Sequence, residues 1–301
     1  MRSAIVVDNV RKIYAGSWRR PAQEALRGIT LNVDVGETFG FVGPNGAGKS
    51  TLIKVLLGAF PPSAGRASIF GVDVREPRAR RGLGFVPENP SLPDFLTPYE
   101  VLLMGLRLHR VGIADERSHC LGWLDRFNLA TVAHSPLRGF SKGMMQRAAL
   151  AHALAIKPRL LILDEPLSGL DPIGRKDVVD ILDEYRRDGG TLFFSSHVLH
   201  DVEAIADRFG LIHQGQLLTI RSPQEVVADQ ADRYVLRYRA AEVPGEKAHA
   251  GLHVLEASPG ELANVIARVQ AQGGVIQDLK PKASLEAVFF RTIAASPDVK
   301  S

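Results

Sequence analysis

Apolar and polar positions alternate in part over Ala4–Val7 and Leu26–Val33, which predicts two half-buried strands. Thr38–Val42 is a short apolar run, residues 43–51 are glycine-rich, and Leu52–Leu57 is amphipathic, predicting strand, turn and helix. Phe60 to Gly65, rich in Pro and Gly, ends that helix, and strands follow near Ala67–Phe70 and at Gly84–Val86. From residue 94 to about 155 the period becomes helical. Thr97 as cap, Pro98 at the first position and Glu100 three beyond the cap open a helix carrying Val101, Leu102, Leu106 and Leu108. A second helix is predicted over Ala114–Phe127 and a third over Gly143–Ile156, opened by Ser141. Leu160–Leu163 is fully apolar, as is a strand covered on both faces of a parallel sheet. Helix Pro172–Arg187, strand Thr191–Ser195 and helix Val198–Ala206 continue the alternation. Phe209–His213 and Gln216–Ile220 read as a hairpin over Gln214-Gly215, and Ser222 with Glu225 caps one more short helix. After about residue 230 the composition shifts. Strands Tyr234–Tyr238, Leu252–Leu255 and Gly274–Leu279, with helices Pro259–Gln272 and Ser284–Ile293, predict a small α+β appendage.

Composition narrows the class. The chain of 301 residues has 45% hydrophobic and 23% charged residues, ordinary for a globular protein of one large or two smaller domains. Its longest apolar stretches, near Val101–Leu108 and Ala148–Ile156, fall well short of the ~20 residues of a membrane span. The start, Met1 to Asp8, turns polar too soon for a signal peptide, so the expected location is the cytoplasm, with any membrane work done through a partner. Cys120 is alone, which excludes an internal disulfide and argues against a thiolate metal cluster. The net charge of +4 is scattered, and no nucleic-acid partner is expected.

The chemistry centres on Gly43-Pro44-Asn45-Gly46-Ala47-Gly48-Lys49-Ser50-Thr51, which has the G-x-x-x-x-G-K-S spacing of a phosphate-binding loop between a strand and a helix. Glycines let backbone N–H groups converge on a polyphosphate, and the helix start adds its unpaired N–H groups and dipole. Lys49 would reach the β- and γ-phosphates, and Ser50 would ligate Mg²⁺. Leu160–Leu163 runs into Asp164-Glu165-Pro166, at the sheet edge where the loop lies. Asp164 would hold Mg²⁺ directly or through water; Glu165 would take a proton from an attacking water or orient it. His197 and His200 lack a third ligand for a metal site, and Ser195, His197 and Asp201 lack a nucleophile elbow.

On these motifs the chain resembles an ATP-binding-cassette (ABC) ATPase over residues 4 to about 222. The loop is similar to Walker A and Leu160–Glu165 to Walker B; Ser168-Gly169-Leu170-Asp171 resembles the loop that crosses the dimer interface. His197 falls at the switch histidine, Phe140-Ser141-Lys142-Gly143-Met144 at the signature, and Tyr14 where an aromatic stacks on adenine, with Trp18 as the alternative. The resemblance implies an α/β P-loop NTPase core with an antiparallel edge sheet, a helical subdomain at about 90–157 within an ATPase domain 1–229, and an accessory α+β domain 230–301. It implies two subunits packed head to tail, ATP bound by Walker A of one and by Ser141 and Gly143 of the other, with Asp171 at the interface and His197 on the γ-phosphate. It further implies ATP hydrolysis with Mg²⁺ that powers transport, in the exporter-type pattern, through a separate membrane permease, with the subunit peripheral on the cytoplasmic face. The rivals are a soluble ABC ATPase acting on ribosomes or DNA and a non-hydrolysing regulatory module; intact Lys49, Asp164, Glu165 and His197 argue against the second.

Two motifs depart from the family pattern. Glu88 stands where most of the family has a glutamine, keeping an oxygen for Mg²⁺ but losing an amide donor; it is expected still to couple the site to the permease. In the signature, Lys142 replaces a glycine, Met144 a glutamine and Phe140 a leucine, while Ser141 and Gly143 remain. Lys142 is expected to strengthen the contact with phosphate across the dimer or to reach the membrane subunit, a solvated lysine being the alternative.

Overall fold

A computed structural model describes residues 3–16, 21–229, 234–239 and 252–281. Two long strands open the chain, β1 (Ser3–Tyr14) and β2 (Gln23–Asp34), paired antiparallel. β1 runs well past Val7 because its register slips between Val7 and Val10, where Asn9 has φ 46°. The slip breaks the simple alternation, yet Val10 still lands in the core. β3 (Thr38–Val42), buried along its whole length, leads through the glycine-rich loop into α1 (Lys49–Leu56). β4 (Ala64–Ile69), β5 (Val72–Asp73) and β6 (Leu83–Val86) follow.

The helical stretch holds α2 (Pro98–Leu108), α3 (Glu116–Arg126) and α4 (Lys142–Ala155). Each starts where a side-chain oxygen satisfies an orphan N–H. Thr97 and Glu100 form a reciprocal capping box, Asp115 accepts from Ser118 N, and Ser141 accepts from Met144 N. Cys120, Leu124, Leu102 and Leu106 are fully buried in this subdomain. Burial pushes the Cys120 thiol up to about 11, so it behaves as a small hydrophobe.

β7 (Leu160–Asp164), α5 (Pro172–Arg187), β8 (Thr191–Ser196), α6 (Leu199–Ile205), β9 (Arg208–His213) and β10 (Gln216–Arg221) complete the first unit apart from the last residue of β10. The strands make a six-stranded sheet, β10-β9-β3-β8-β7-β6, and a separate sheet, β2-β1-β4-β5. β3, β6, β7 and β8 run parallel to their neighbours, as does β9 to β3. One core joins the sheets and α1: Ile5, Val10, Leu26 and Ile29 meet Phe39, Phe41, Leu52, Ile53, Ile162 and Phe193. Each such large side chain contributes about 1.5–3 kcal/mol on burial. That core fixes the carboxyl ends of β3, β7 and β8 as a rigid rim for the loops that follow them.

The chain divides into two compact units, Met1–Ile220 and Arg221–Ser301, which puts the division before α7 (Pro223–Asp229) rather than after it. Ser222 and Glu225 cap α7 reciprocally. The second unit contains β11 (Tyr234–Arg239), β12 (Leu252–Ala257), α8 (Leu262–Ala271) and β13 (Val275–Pro281), with sheet order β12-β11-β13. Leu236, Tyr238 and Val269 are its buried centre. α8 starts three residues later than the pattern predicts because Pro259 and Gly260 form a turn. The predicted helix Ser284–Ile293 lies outside the described residues.

Candidate functional site

The glycine loop leaves the carboxyl end of β3 and returns as α1, and its path leaves no room for a side chain at Gly43 or Gly48. A Cβ on Gly43 would lie 2.2 Å from the carbonyl oxygen of Ile212 on the neighbouring strand. Gly48 has φ 116°, and a Cβ there would meet the carbonyl oxygen of Ala25 at 2.7 Å. The loop is thus held between β2 and β9 with its backbone fixed. It borders a cleft of about 420 Å³ lined by Asn45, Gly46, Gly48, Lys49, Ser50 and Thr51 of the loop, together with Tyr14, Gln23, Ala25, Glu88 and Glu165. Gly43, Pro44 and Ala47 support the loop from behind; Ala47 is buried and its carbonyl accepts from Gly215 N.

Lys49 and Glu165 form the electrostatic centre. The Lys49 ammonium, nearly buried, donates to the carbonyl oxygens of Gly43 (2.7 Å) and Pro44 (3.3 Å) and lies 3.3 Å from Glu165 Oε1. Glu165 directly follows β7 and holds φ 51°, a left-handed conformation unusual for a side-chain-bearing residue. Its backbone N donates to Ser195 Oγ at 3.1 Å. Its other carboxylate oxygen is 2.8 Å from His197 Nδ1 and accepts from the His197 backbone N at 3.3 Å. Glu165 is therefore clamped between β8 and the loop lysine, with one oxygen on each. Asp164 is buried at the end of β7 and accepts the Ser195 hydroxyl at 2.5 Å; it stands behind the cleft rather than on its lining.

The donor chemistry fits a nucleotide with a hard divalent cation. A loop in which Gly43 and Gly48 have no space for a Cβ atom, with a lysine turned into it, suits a polyphosphate. The Ser50 hydroxyl and the Glu88 carboxylate line the same cleft and Asp164 lies close behind, all oxygen donors of the kind Mg²⁺ takes. Among the described residues no three His, Cys, Asp or Glu side chains gather as an all-protein metal cage. That agrees with a cation held by one or two carboxylates plus phosphate and water. Tyr14 lies at the cleft mouth with its hydroxyl 3.5 Å from Thr51 Oγ1 and its ring edge-on to Phe60. Trp18 lies outside the described residues.

Comparison with known proteins gives the same answer. The ABC transporter family model matches residues 26–168. An uncharacterized ABC transporter ATP-binding protein of Synechocystis is 40% identical over 241 residues, 79% of this chain and 68% of that protein. The chain belongs to the ABC transporter ATP-binding family. Its members are ATPases. Among solved structures, that of the ATP-binding subunit of an ABC transporter superposes with TM-score 0.69 at 29% identity, covering 75% of this chain and 92% of that one. The dimeric structure of a bacterial ABC transporter cassette gives TM-score 0.67 at 25% identity, covering 72% and 98%.

In this ABC cassette, besides Gly43, Pro44 and Ala47 behind the loop and His197 behind Glu165, the expected nucleotide-binding residues Ser141, Gly143 and Asp171 do not line the cleft. Ser141 is exposed and caps α4; Gly143, one residue into that helix, packs against the carbonyl of Gly169; Asp171 caps α5 by accepting from Gly174 N at 2.6 Å. The Lys142 side chain also lies across the 168–171 loop. A Cβ on Gly169, which has φ 75°, would fall 3.0–3.2 Å from Lys142 Cγ, Cδ and Cε. The aliphatic stem therefore covers this glycine within the same chain, a contact that motif reading did not predict. Gln146 lies two residues past the signature. It is fully buried, and its Nε2 donates to Pro166 O at 3.0 Å, tying α4 to the turn after Glu165. A further cluster had no motif at all. Asp201 on α6 accepts from the Ser196 hydroxyl at 3.3 Å and pairs with Arg175 of α5 at 3.4 Å, bracing the turn that carries His197.

Proposed function

We propose that this cassette hydrolyses ATP in a composite site formed by two copies of the chain and drives transport through a separate membrane permease, in the direction of export. The observation that carries the composite site is a separation. Lys49, Glu165 and His197 meet around one cleft, whereas Ser141 and Gly143 stand away from it on the exposed start of α4. An exposed helix start, with the Ser141 hydroxyl at its cap and orphan N–H groups, is suited to a phosphate brought by another molecule. The dimeric cassette among the similar structures supports two copies as the working state.

In this reading the polyphosphate lies on the backbone N–H groups of residues 45–51 with the Lys49 ammonium beside it, and the adenine stacks on Tyr14. Lys49 exchanges its hold on Glu165 and the loop carbonyls for phosphate oxygens. The freed Glu165 carboxylate faces the attacking water, accepts its proton or orients it, and His197 faces the γ-phosphate. Water oxygen bonds to the γ-phosphorus as the bond to the bridging oxygen breaks, leaving ADP and phosphate. Ser50, Glu88 and Asp164 would hold Mg²⁺, which neutralises charge on the β- and γ-phosphates when bound. Ser141, Gly143 and Asp171 complete the site from the second copy.

No helix among the described residues is long and apolar enough to cross a membrane. In this reading the permease is a separate chain, and this subunit is peripheral on the cytoplasmic face. Residues 1–220 are proposed as the ATPase domain, with the helical subdomain at about 90–157, and 221–301 as an accessory domain, nine residues earlier than the pattern of the sequence suggests. Glu88, exposed at the cleft mouth, is proposed to couple the site to the permease. Two measurements test the proposal. Phosphate release should rise with the square of subunit concentration at high dilution, and Ser141→Ala mixed with Glu165→Gln subunits should retain one active site per pair. Linear concentration dependence with inactive mixtures would overturn the composite site. Affinity purification from detergent-solubilised membranes should bring down a permease, and ATP should drive cargo into inverted vesicles of those membranes; outward movement from them would reverse the direction.

A further inference from the structure

A second cleft, about 490 Å³, lies at the opposite end of the parallel sheet from the phosphate loop. Its lining includes Lys157, Pro158 and Arg159, which precede β7, and Gly189 and Gly190, which precede β8. None of the nucleotide residues reaches it. The size falls within the ~300–1,000 Å³ usual for small-molecule sites.

The cleft is built from fixed aromatic surfaces. The Tyr185 hydroxyl lies 3.1 Å from Pro158 O and 3.2 Å from Thr191 O, and its ring occupies the space a Cβ on Gly190 would need. Phe70 is faced by the Arg159 guanidinium at 4.2 Å and Trp123 by that of Arg126 at 4.7 Å. Leu154 and Ile181 supply buried aliphatic wall. The charges are unequal. Arg126 pairs with Glu184, while the Lys157 ammonium, the Arg159 guanidinium and the Asp188 carboxylate have no ion pair among the described residues. Two unmatched cations against one carboxylate on an aromatic-lined cleft favour a planar apolar body with one negative charge.

We propose that this cleft is a binding site for a planar aromatic monoanion, separate from the nucleotide site and linked to it by helices. α4, of 14 residues, and α5, of 16, line the cleft near their carboxyl ends with Leu154 and with Ile181 and Tyr185. Their amino ends, about 20 Å away at 1.5 Å per residue, carry Ser141 and Asp171. A ligand seated between α3, α4 and α5 bears on the spacing of the signature and the 168–171 loop.

The chain has two tryptophans, Trp18 and Trp123, so Trp18→Phe leaves the cleft residue as the sole tryptophan, excited selectively over the tyrosines. Full-length Trp18→Phe protein is titrated with pyrene-1-sulfonate, and quenching of Trp123 is followed. The expected result is saturable quenching at one probe per chain that saturating ATP does not displace. Lys157→Glu, an exposed change, should weaken binding about tenfold, while the remote exposed change Lys176→Glu leaves it within about twofold. Non-saturating quenching, displacement by ATP, or equal effects of the two charge reversals would overturn the proposal. Each of these outcomes is read without ATP turnover, so the assignment of the hydrolytic site stands or falls separately.

Discussion

Glu165→Gln separates the electrostatic role of this carboxylate from its structural one. Glutamine has the same shape and can still accept from His197 through its remaining oxygen, at the positions now 2.8 Å and 3.3 Å away. What disappears is the charge opposite Lys49, 3.3 Å away with both side chains nearly buried. Breaking a buried pair by removing one partner typically costs about 3–5 kcal/mol. Here Lys49 keeps two carbonyl acceptors, Gly43 O at 2.7 Å and Pro44 O at 3.3 Å. Two bonds of that kind together offset about 3–6 kcal/mol, so the net loss of stability should be small, no more than about 2 kcal/mol. Turnover should fall far more: losing a positioned base removes about 10²–10⁴-fold in rate, or ~3–5.5 kcal/mol of barrier. Nucleotide affinity should hold or tighten, because Lys49 no longer has a carboxylate to leave. Phosphate release measures the rate, and the shift of the melting temperature with ATP measures binding; a ligand at 100 times its Kd adds about 2.7 kcal/mol. A variant within about threefold of wild-type kcat, or one that ATP no longer stabilises, would refute this account of the cluster.

Substitutions at three other positions probe features beyond that carboxylate. Lys142→Met keeps the stem over Gly169 and should retain most of the turnover, whereas Lys142→Gly uncovers the loop and should lower it; equal losses in both would restore the expected charge contact with phosphate. Asp201 has its pKa raised, by burial first and by Glu165 in addition, against the lowering effects of Arg175, Ser196 and His200. A raised carboxyl contributes stability below its unfolded value that is lost as pH rises through the folded one. Asp201→Asn should therefore gain on wild type in thermal melts as pH rises from 4 to 7; a deficit that grows over that range would mean the Arg175 pair outweighs burial. Thr97→Ala removes the capping box of α2 and should cost about 1 kcal/mol in urea unfolding at unchanged m, with Thr97→Ser restoring most of it.

Most of the strand and helix order was legible because it rests on local rules. Pro98 and Glu100 after Thr97 specify a helix start, and Leu160–Leu163 is apolar enough to be only a covered strand. The phosphate loop was legible for the same reason: backbone geometry demands glycine at fixed spacings, and composition records that demand. Ends were less visible where tertiary contact overrides pattern, as at the Asn9 bulge that carries β1 on to Tyr14. The site's internal wiring was not visible at all. Nothing local to Glu165 announces a positive φ, since that conformation is imposed by Ser195 and His197 some 30 residues away. The same holds for Lys142. Read as a motif position, a lysine in place of glycine suggests charge and therefore phosphate. Its stem instead fills the space beside a glycine that can bear no side chain of its own. Such a contact joins residues 27 positions apart and is decided by shape, so it leaves no periodic or compositional trace. Departures from a family pattern are thus the positions where sequence reasoning most needs the fold, because the pattern describes what relatives touch and not what a new side chain finds beside it.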